Sequence, residues 1–275
     1  MRLHISHNTT YRYDTPPATV TQILRLTPRN HDGQHVVRWR VELSEDCILH
    51  EHEDAYGNLT HTFTADGPLN ELVITVSGEV DTQDTHGIVR NAVERFPPQF
   101  FLRETDLTKP DAAIRDLAAE LRDAGDPATL PLLHRLLARL HRDIVFDVAP
   151  TSPTTTASEA FALKRGVCQD IAHIFLSASR LLGIPARYIG GHLARSDDAL
   201  QQEAGHAWIE AHVPDLGWVS FDPANGISAT DAYVRVAVGL DYLGASPVRG
   251  SRIGGAGEAL KVAVAVAQSR QQIQD

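Results

Sequence analysis

The feature that most constrains this chain is a change of hydrophobic period part-way along it. Up to about residue 85 apolar residues alternate with polar ones, the pattern of strands buried on one face. Leu72-Val73-Ile74-Thr75-Val76 is the densest such run. Others hold Leu3, Ile5, Tyr11 and Tyr13, then Val20, Leu24 and Leu26, then Val36, Trp39, Val41 and Leu43. Turn residues separate them at Pro16-Pro17, Thr27-Pro28-Arg29-Asn30, His31-Asp32-Gly33 and Tyr56-Gly57-Asn58. Short strands at such spacing predict an antiparallel β-sandwich over residues 1–85. Residues 86–109, with Phe96-Pro97-Pro98 and Thr108-Lys109-Pro110, read as a linker.

From residue 110 the period becomes helical. Ile114, Leu117, Ala118 and Leu121 share one helix face, and Leu132, Leu133, Leu136, Leu137 and Leu140 another. A third helix carries Ile171, Phe175, Ala178 and Leu182 and stops at Gly183-Ile184-Pro185. Strands return from Ala186, with a bend at Gly190-Gly191, and a pair follows over His206 to Val213 and Trp218 to Phe221. Glycines 250, 254, 255 and 257 predict a loop, before a last alternating strand over Leu260 to Ala267. The fold class is therefore α+β, with helices packed on an antiparallel sheet over residues 110–275.

Cys168 opens the third helix, after Gly166-Val167. Unpaired N–H groups and the helix dipole there favour negative charge, and the thiolate is the nucleophilic form of cysteine. Downstream, Gly205-His206-Ala207-Trp208-Ile209-Glu210 offers a base, and Gly217-Trp218-Val219-Ser220-Phe221-Asp222-Pro223 a carboxylate to orient it. Cys168 would attack an amide carbonyl, His206 would move the proton, and Asp222 would fix the imidazole tautomer. The Cys168 backbone N–H is the natural first donor to the tetrahedral oxyanion.

These motifs, with Leu182-Gly183-Ile184-Pro185-Ala186-Arg187-Tyr188, resemble the bacterial transglutaminase-like proteins, and the order Cys, His, Asp matches that superfamily. His7-Asn8-Thr9-Thr10-Tyr11-Arg12-Tyr13, Leu26-Thr27-Pro28-Arg29 and Asp54-Ala55-Tyr56-Gly57-Asn58 are similar to the β-rich N-terminal region that often accompanies it. Gly239-Leu240-Asp241-Tyr242 and Pro247-Val248-Arg249-Gly250 look like a family ending, which puts Asp241 and Tyr242 near the site. The resemblance implies a papain-like catalytic domain behind the sandwich. It leaves the reaction open between crosslinking, amide hydrolysis, peptide-bond cleavage and an inactive binding or scaffold role. Unlike the animal crosslinking enzymes, the chain shows no Asp-rich loop of calcium-binding type, and no cofactor is expected.

Other residues carry competing readings. Gln169 could line the cleft. Asp170 and His173 either brace the site or satisfy buried hydrogen bonds, with the second preferred. Trp208 and Trp218 read as core anchors and secondarily as cleft residues. Asp222 before Pro223 could merely begin a turn. Cys47 reads as a small apolar filler. His50, His52 and Asp54 could share a strand face and hold a metal, but without a fourth ligand they read as a solvated face. The polar run Ser196 to Ala204 reads as a solvated loop, which its place before His206 could also let gate the cleft, and Gln268 to Asp275 as a frayed end.

A formal net charge of −10 argues against nucleic acid and anionic membranes as partners. Two cysteines in different predicted domains make no disulfide framework, and the N-terminus lacks a signal-like apolar core, so the expected location is cytoplasmic. The expected partner is a protein or peptide substrate. Nothing in the sequence sets the oligomeric state.

Overall fold

Six strands open the chain: β1 (Arg2–Arg12), β2 (Thr19–Thr27), β3 (Gln34–Leu43), β4 (His50–Glu53), β5 (Leu59–Asp66) and β6 (Glu71–Thr82). The computed structural model describes residues 1–149, 151–195 and 204–268. The expected polar loop, apart from Ala204, and all of the tail after Gln268 lie outside them. Alternation does what the period predicts: Leu3, Ile5, His7, Thr9 and Tyr11 all bury on one face of β1.

Two four-stranded sheets form, in the orders β15-β1-β6-β3 and β14-β2-β5-β4, where β14 (Val248–Ile253) and β15 (Ala259–Gln268) come from the far end of the chain. Tyr11, Leu72, Ile74 and Val76 of the first sheet meet Val20, Leu24, Leu26, Phe63 and Ala65 of the second. This is the β-sandwich core. Burying each large side chain contributes about 1.5–3 kcal/mol.

The sandwich is thus completed by residues that the 110–275 boundary assigns to the second domain. β15 pairs antiparallel with β1 from Leu3 opposite Gln268 to Arg12 opposite Ala259. β14 pairs with β2, and its Gly250, expected in a loop, lies in a strand. A Cβ there would fall 2.2 Å from the Thr21 carbonyl oxygen, so close strand approach explains this glycine.

The linker also takes part. β7 (Ile88–Val89) pairs at the edge of a five-stranded antiparallel sheet ordered β13-β10-β11-β12-β7. Its other members are β10 (Ala186–Leu193), β11 (His206–Val213), β12 (Gly217–Phe221) and β13 (Tyr233–Gly239). Two 3-10 turns, Pro98–Leu102 and Asp106–Thr108, lead into α1 (Ala112–Asp123) and α2 (Thr129–Asp143). A short parallel pair, β8 (Val145–Phe146) and β9 (Arg165–Gly166), brackets α3 (Ala157–Leu163). Then comes α4 (Cys168–Leu181), and after β13 the single turn α5 (Tyr242–Ala245).

α4 is the central helix. Every residue from Asp170 to Arg180 is buried, with α1 and α3 packed beside it and β10 and β11 against it. A helix enclosed on all sides is the hub of its core. The Arg180 guanidinium donates to the carbonyls of Phe101, Ala186 and Leu240 and to the Thr108 hydroxyl, tying the linker, β10 and the C-terminal segment together. Leu3, Ile5, Val80, Val264 and Val266 of the sandwich join this same core. One sheet therefore serves two cores, and the site lies where they meet. No described helix is long and apolar enough to cross a membrane.

Candidate active site

Local chemistry decides where Cys168 sits. Val167 takes the N-cap position of α4, and the Asp170 carboxylate reaches back to accept its N–H at 2.8 Å. That contact fills the space beside Gly166, where a Cβ would lie 2.7 Å from the Asp170 oxygen. The Gly-Val-Cys-Gln-Asp run is thus a helix start, with the thiol on the first residue of a 14-residue helix. First-turn N–H groups have no helical carbonyl to bond, and they suit a developing negative charge.

His206 begins β11, and Asp222 follows the last residue of β12. The two strands pair antiparallel, with Ile209 opposite Phe221, so both side chains reach the same end of the sheet. His206 Nε2 lies 2.6 Å from Asp222 Oδ2, and the imidazole also hydrogen-bonds the Cys168 side chain. With Nε2 committed to the carboxylate, Nδ1 is the nitrogen left for sulfur. Burial opposes the charged imidazole. The negative charge of Cys168, then the hydrogen bonds to Asp222 and Cys168, outweigh it and raise His206 to about 10.

Asp222 is fully buried and saturated with donors. Besides His206, its Oδ2 accepts from Asn225 Nδ2 at 2.6 Å and from the Tyr233 hydroxyl at 2.7 Å. Its Oδ1 accepts the backbone N–H groups of Ala224 and Asn225 at 3.0 and 3.2 Å. Burial alone would push the carboxyl up, but His206, then Tyr233 and Asn225, hold it below its ordinary value. Asp222 does start a turn, and it also anchors the imidazole.

Trp208 lies two residues along from His206 on the same face of β11. Its ring stacks at 6.1 Å from the imidazole and meets Tyr233 edge-on at 5.3 Å. Trp208 is thus buried and packed against the His206 imidazole.

The remaining predicted residues divide by what they touch. Gln169 lines the cleft and donates from Nε2 to the Pro153 carbonyl at 3.2 Å. Asp170 holds the helix start, as described. Fully buried His173 accepts the Tyr242 N–H through Nε2 at 3.1 Å, while burial and then the Arg180 charge lower it to about 3. It is neutral, and it pins the C-terminal segment onto α4. Tyr242 lines the cleft beside Tyr188. Asp241 caps α5 through the Gly244 N–H and makes no contact with the Cys168–His206–Asp222 group among the described residues.

Three features escape a reading by sequence. Asn225 stands three residues after Asp222, a spacing that hints at a turn in which the carboxylate accepts local donors. Tyr233 has no such local signal, since its strand comes from the other side of the sheet. Tyr188 of β10 lies near Cys168, whose charge, after burial, contributes to holding the phenol well above its ordinary range. The cleft itself, about 620 Å³, is walled partly by Thr9, Tyr11, Leu260 and Val262 of the sandwich.

Elsewhere, Asp54 is occupied by Arg25 Nε at 3.0 Å, by Asn58 Nδ2 and by the backbone N–H groups of Tyr56 and Asn58. Among the described residues no three His, Cys, Asp or Glu side chains converge as a metal site. Both cysteines are free thiols.

Two stretches of the chain match known families. Residues 3–81 match the bacterial transglutaminase-like N-terminal region, and residues 115–223 match the transglutaminase-like superfamily. An uncharacterized protein of Mycobacterium leprae is 29% identical over 279 residues, covering 96% of this chain and 98% of its own. A protein-glutamine gamma-glutamyltransferase of Pseudomonas aeruginosa is 33% identical over 139 residues, 46% of this chain and 20% of that protein. In structure, a candidate cysteine protease from Cytophaga hutchinsonii superposes with a TM-score of 0.77 at 20% identity, over 98% of this chain and 92% of that one.

Proposed function

The chain belongs to the transglutaminase-like superfamily, and from that membership and the bonding of His206 we propose that it performs thiol-dependent acyl transfer or hydrolysis at an amide. The observation that carries this reading is one imidazole bonded to Cys168 on one side and to buried Asp222 on the other. A solvated histidine needs neither.

The Cys168 thiolate attacks the carbonyl carbon of a carboxamide or peptide bond, forming a C–S bond and moving the π electrons onto oxygen. The first-turn N–H of Cys168 donates to that oxyanion. When the intermediate collapses, the C–N bond breaks and His206 gives its proton to the departing amine. A thioester remains on Cys168. An amine or water then adds to it, His206 takes the incoming proton, and the C–S bond breaks to restore the thiolate. Asp222 holds the imidazole in the tautomer and orientation that both halves require.

The test is mass spectrometry of a peptide pool bearing glutamine and asparagine, incubated with a primary amine, for the wild type against Cys168→Ala. Amine adducts, deamidation and backbone cleavage differ in mass, so the reaction type is read with the activity. Products that depend on Cys168 support the reading. The same products from Cys168→Ala would overturn it.

A further inference from the structure

The cleft at Cys168 has walls of two origins. The catalytic unit contributes Cys168, His206, Tyr188 and Tyr242, and the sandwich contributes Thr9 and Tyr11 of β1 and Leu260 and Val262 of β15. Its volume of about 620 Å³ suits a small ligand or a few residues of extended chain.

Apolar side chains crowd this cleft and stand open. Phe146, Val148 and Leu260 all line it, at 55%, 74% and 56% exposed. Large apolar groups left in water beside a reactive thiol stand to gain by covering, and the molecule that reaches the thiol is what can cover them. Tyr11, Val248 and Val262 continue the apolar surface inward. No carboxylate lines the cleft among the described residues. His7 of β1 is there too, but burial lowers it to about 4, so it carries no charge near neutral pH. Arg195 is the permanent charge among the described lining residues.

We propose that this cleft selects acyl donors by a large apolar group carried beside the reacting carbonyl, and that β1 and β15 of the sandwich supply the selecting surface. The proposal rests on the reading of Cys168 as the nucleophile. It gives the N-terminal strands a part in substrate choice besides their structural one, with the occupant fixed by continuity: a donor whose carbonyl sits at Sγ has its flanking group between Leu260, Val262 and Phe146.

The experiment measures alkylation of Cys168 in the full chain by N-blocked dipeptidyl chloromethyl ketones. All share glycine at the ketone and carry phenylalanine, leucine, lysine or aspartate before it. Iodoacetamide, which has no flanking group, is the reference reagent, and labelling is located by peptide mass spectrometry. The expected result is labelling roughly tenfold or more faster for phenylalanine and leucine than for lysine and aspartate. In Leu260→Asp, at an exposed position that a polar residue tolerates, that preference should shrink several-fold after division by the iodoacetamide rate. Equal rates for all four probes would overturn the apolar subsite and leave the nucleophile standing. Fastest labelling by the aspartate probe would overturn it in favour of Arg195. An undiminished preference in Leu260→Asp would overturn the part given to β15. Failure of iodoacetamide to label Cys168 would sink the nucleophile reading, and this proposal with it.

Discussion

At the scale of single residues, one side chain sets the electrostatics of the site. His206 is raised to about 10 against the opposition of burial, because its charged form faces Cys168 and is bonded to Asp222. Its folded value lies above the unfolded one of about 6.5, so the imidazolium is the resting form across the neutral range. Its contribution to stability is fully present below about pH 6.5 and lost as pH rises through about 10. Activity that needs His206 as proton donor should therefore fall on the alkaline side as pH passes about 10. Asp222→Asn removes the charge and turns an acceptor of donors into an amide. The expected outcome is a kcat lower by roughly a hundredfold to ten-thousandfold, with the alkaline limb moved to lower pH. A pH–rate profile of both proteins checks it, and an unmoved limb would mean that Asp222 does not set the imidazole.

At the scale of elements, the strands that hold the site are locked by a buried ion network. Arg187 of β10 donates to Glu210 of β11 at 2.7 Å, and Arg235 of β13 donates to the same carboxylate at 2.8 Å. The Arg187 guanidinium also lies 3.9 Å over the Trp218 ring. Burial would push Glu210 up, but Arg235 and then Arg187 bring it down to about 2. Its folded value thus lies below the unfolded one. The stabilisation is present above about pH 4.5 and disappears as pH falls toward about 2. Glu210→Gln takes the shared carboxylate from two guanidinium groups in the sheet that carries His206, leaving Arg187 with only Glu94, at 2.7 Å, and Arg235 without the partner it has here. A loss of about 3–5 kcal/mol is expected, read by urea unfolding monitored at tryptophan. Glu210 stood in the sequence beside the histidine motif. Its partners stand 23 residues before it and 25 after it, so only strand pairing could reveal the network.

At the scale of the whole molecule, the chain leaves the sandwich after β6 and returns to finish it. β14 and β15 lie at the ends of the two sandwich sheets, and Val264 and Val266 of β15 enter the core around α4. A fragment of residues 1–85 lacks both strands and should not unfold cooperatively on its own. Adding a peptide of residues 247–268 should restore a melting transition. Thermal unfolding followed by far-ultraviolet circular dichroism decides this, and a sharp melt of the fragment alone would refute it. The same closure explains why the cleft borrows walls from β1 and β15: the strands that complete the sandwich pass beside Cys168.

What the sequence determined by itself is local in origin. Period-2 and period-3.6 patterns specify strands and helices because burial on one face is set by neighbours a few residues away. The start of α4 is written in five consecutive residues, Gly166 to Asp170, whose contacts to one another put the thiol on the first helical turn. The placing of Cys168, His206 and Asp222 on a helix start and two strand ends was legible for the same reason. What only tertiary structure decided depends on which strands meet. No local pattern says that Ala259–Gln268 lies on Arg2–Arg12, that Tyr233 reaches Asp222, or that Trp208 closes over His206. Pairing is chosen by complementary burial over the whole chain, at separations whose closure leaves no mark in any short window. The cleft is a product of that choice, since part of its wall comes from β1, β14 and β15, strands the sequence leaves far from the thiol.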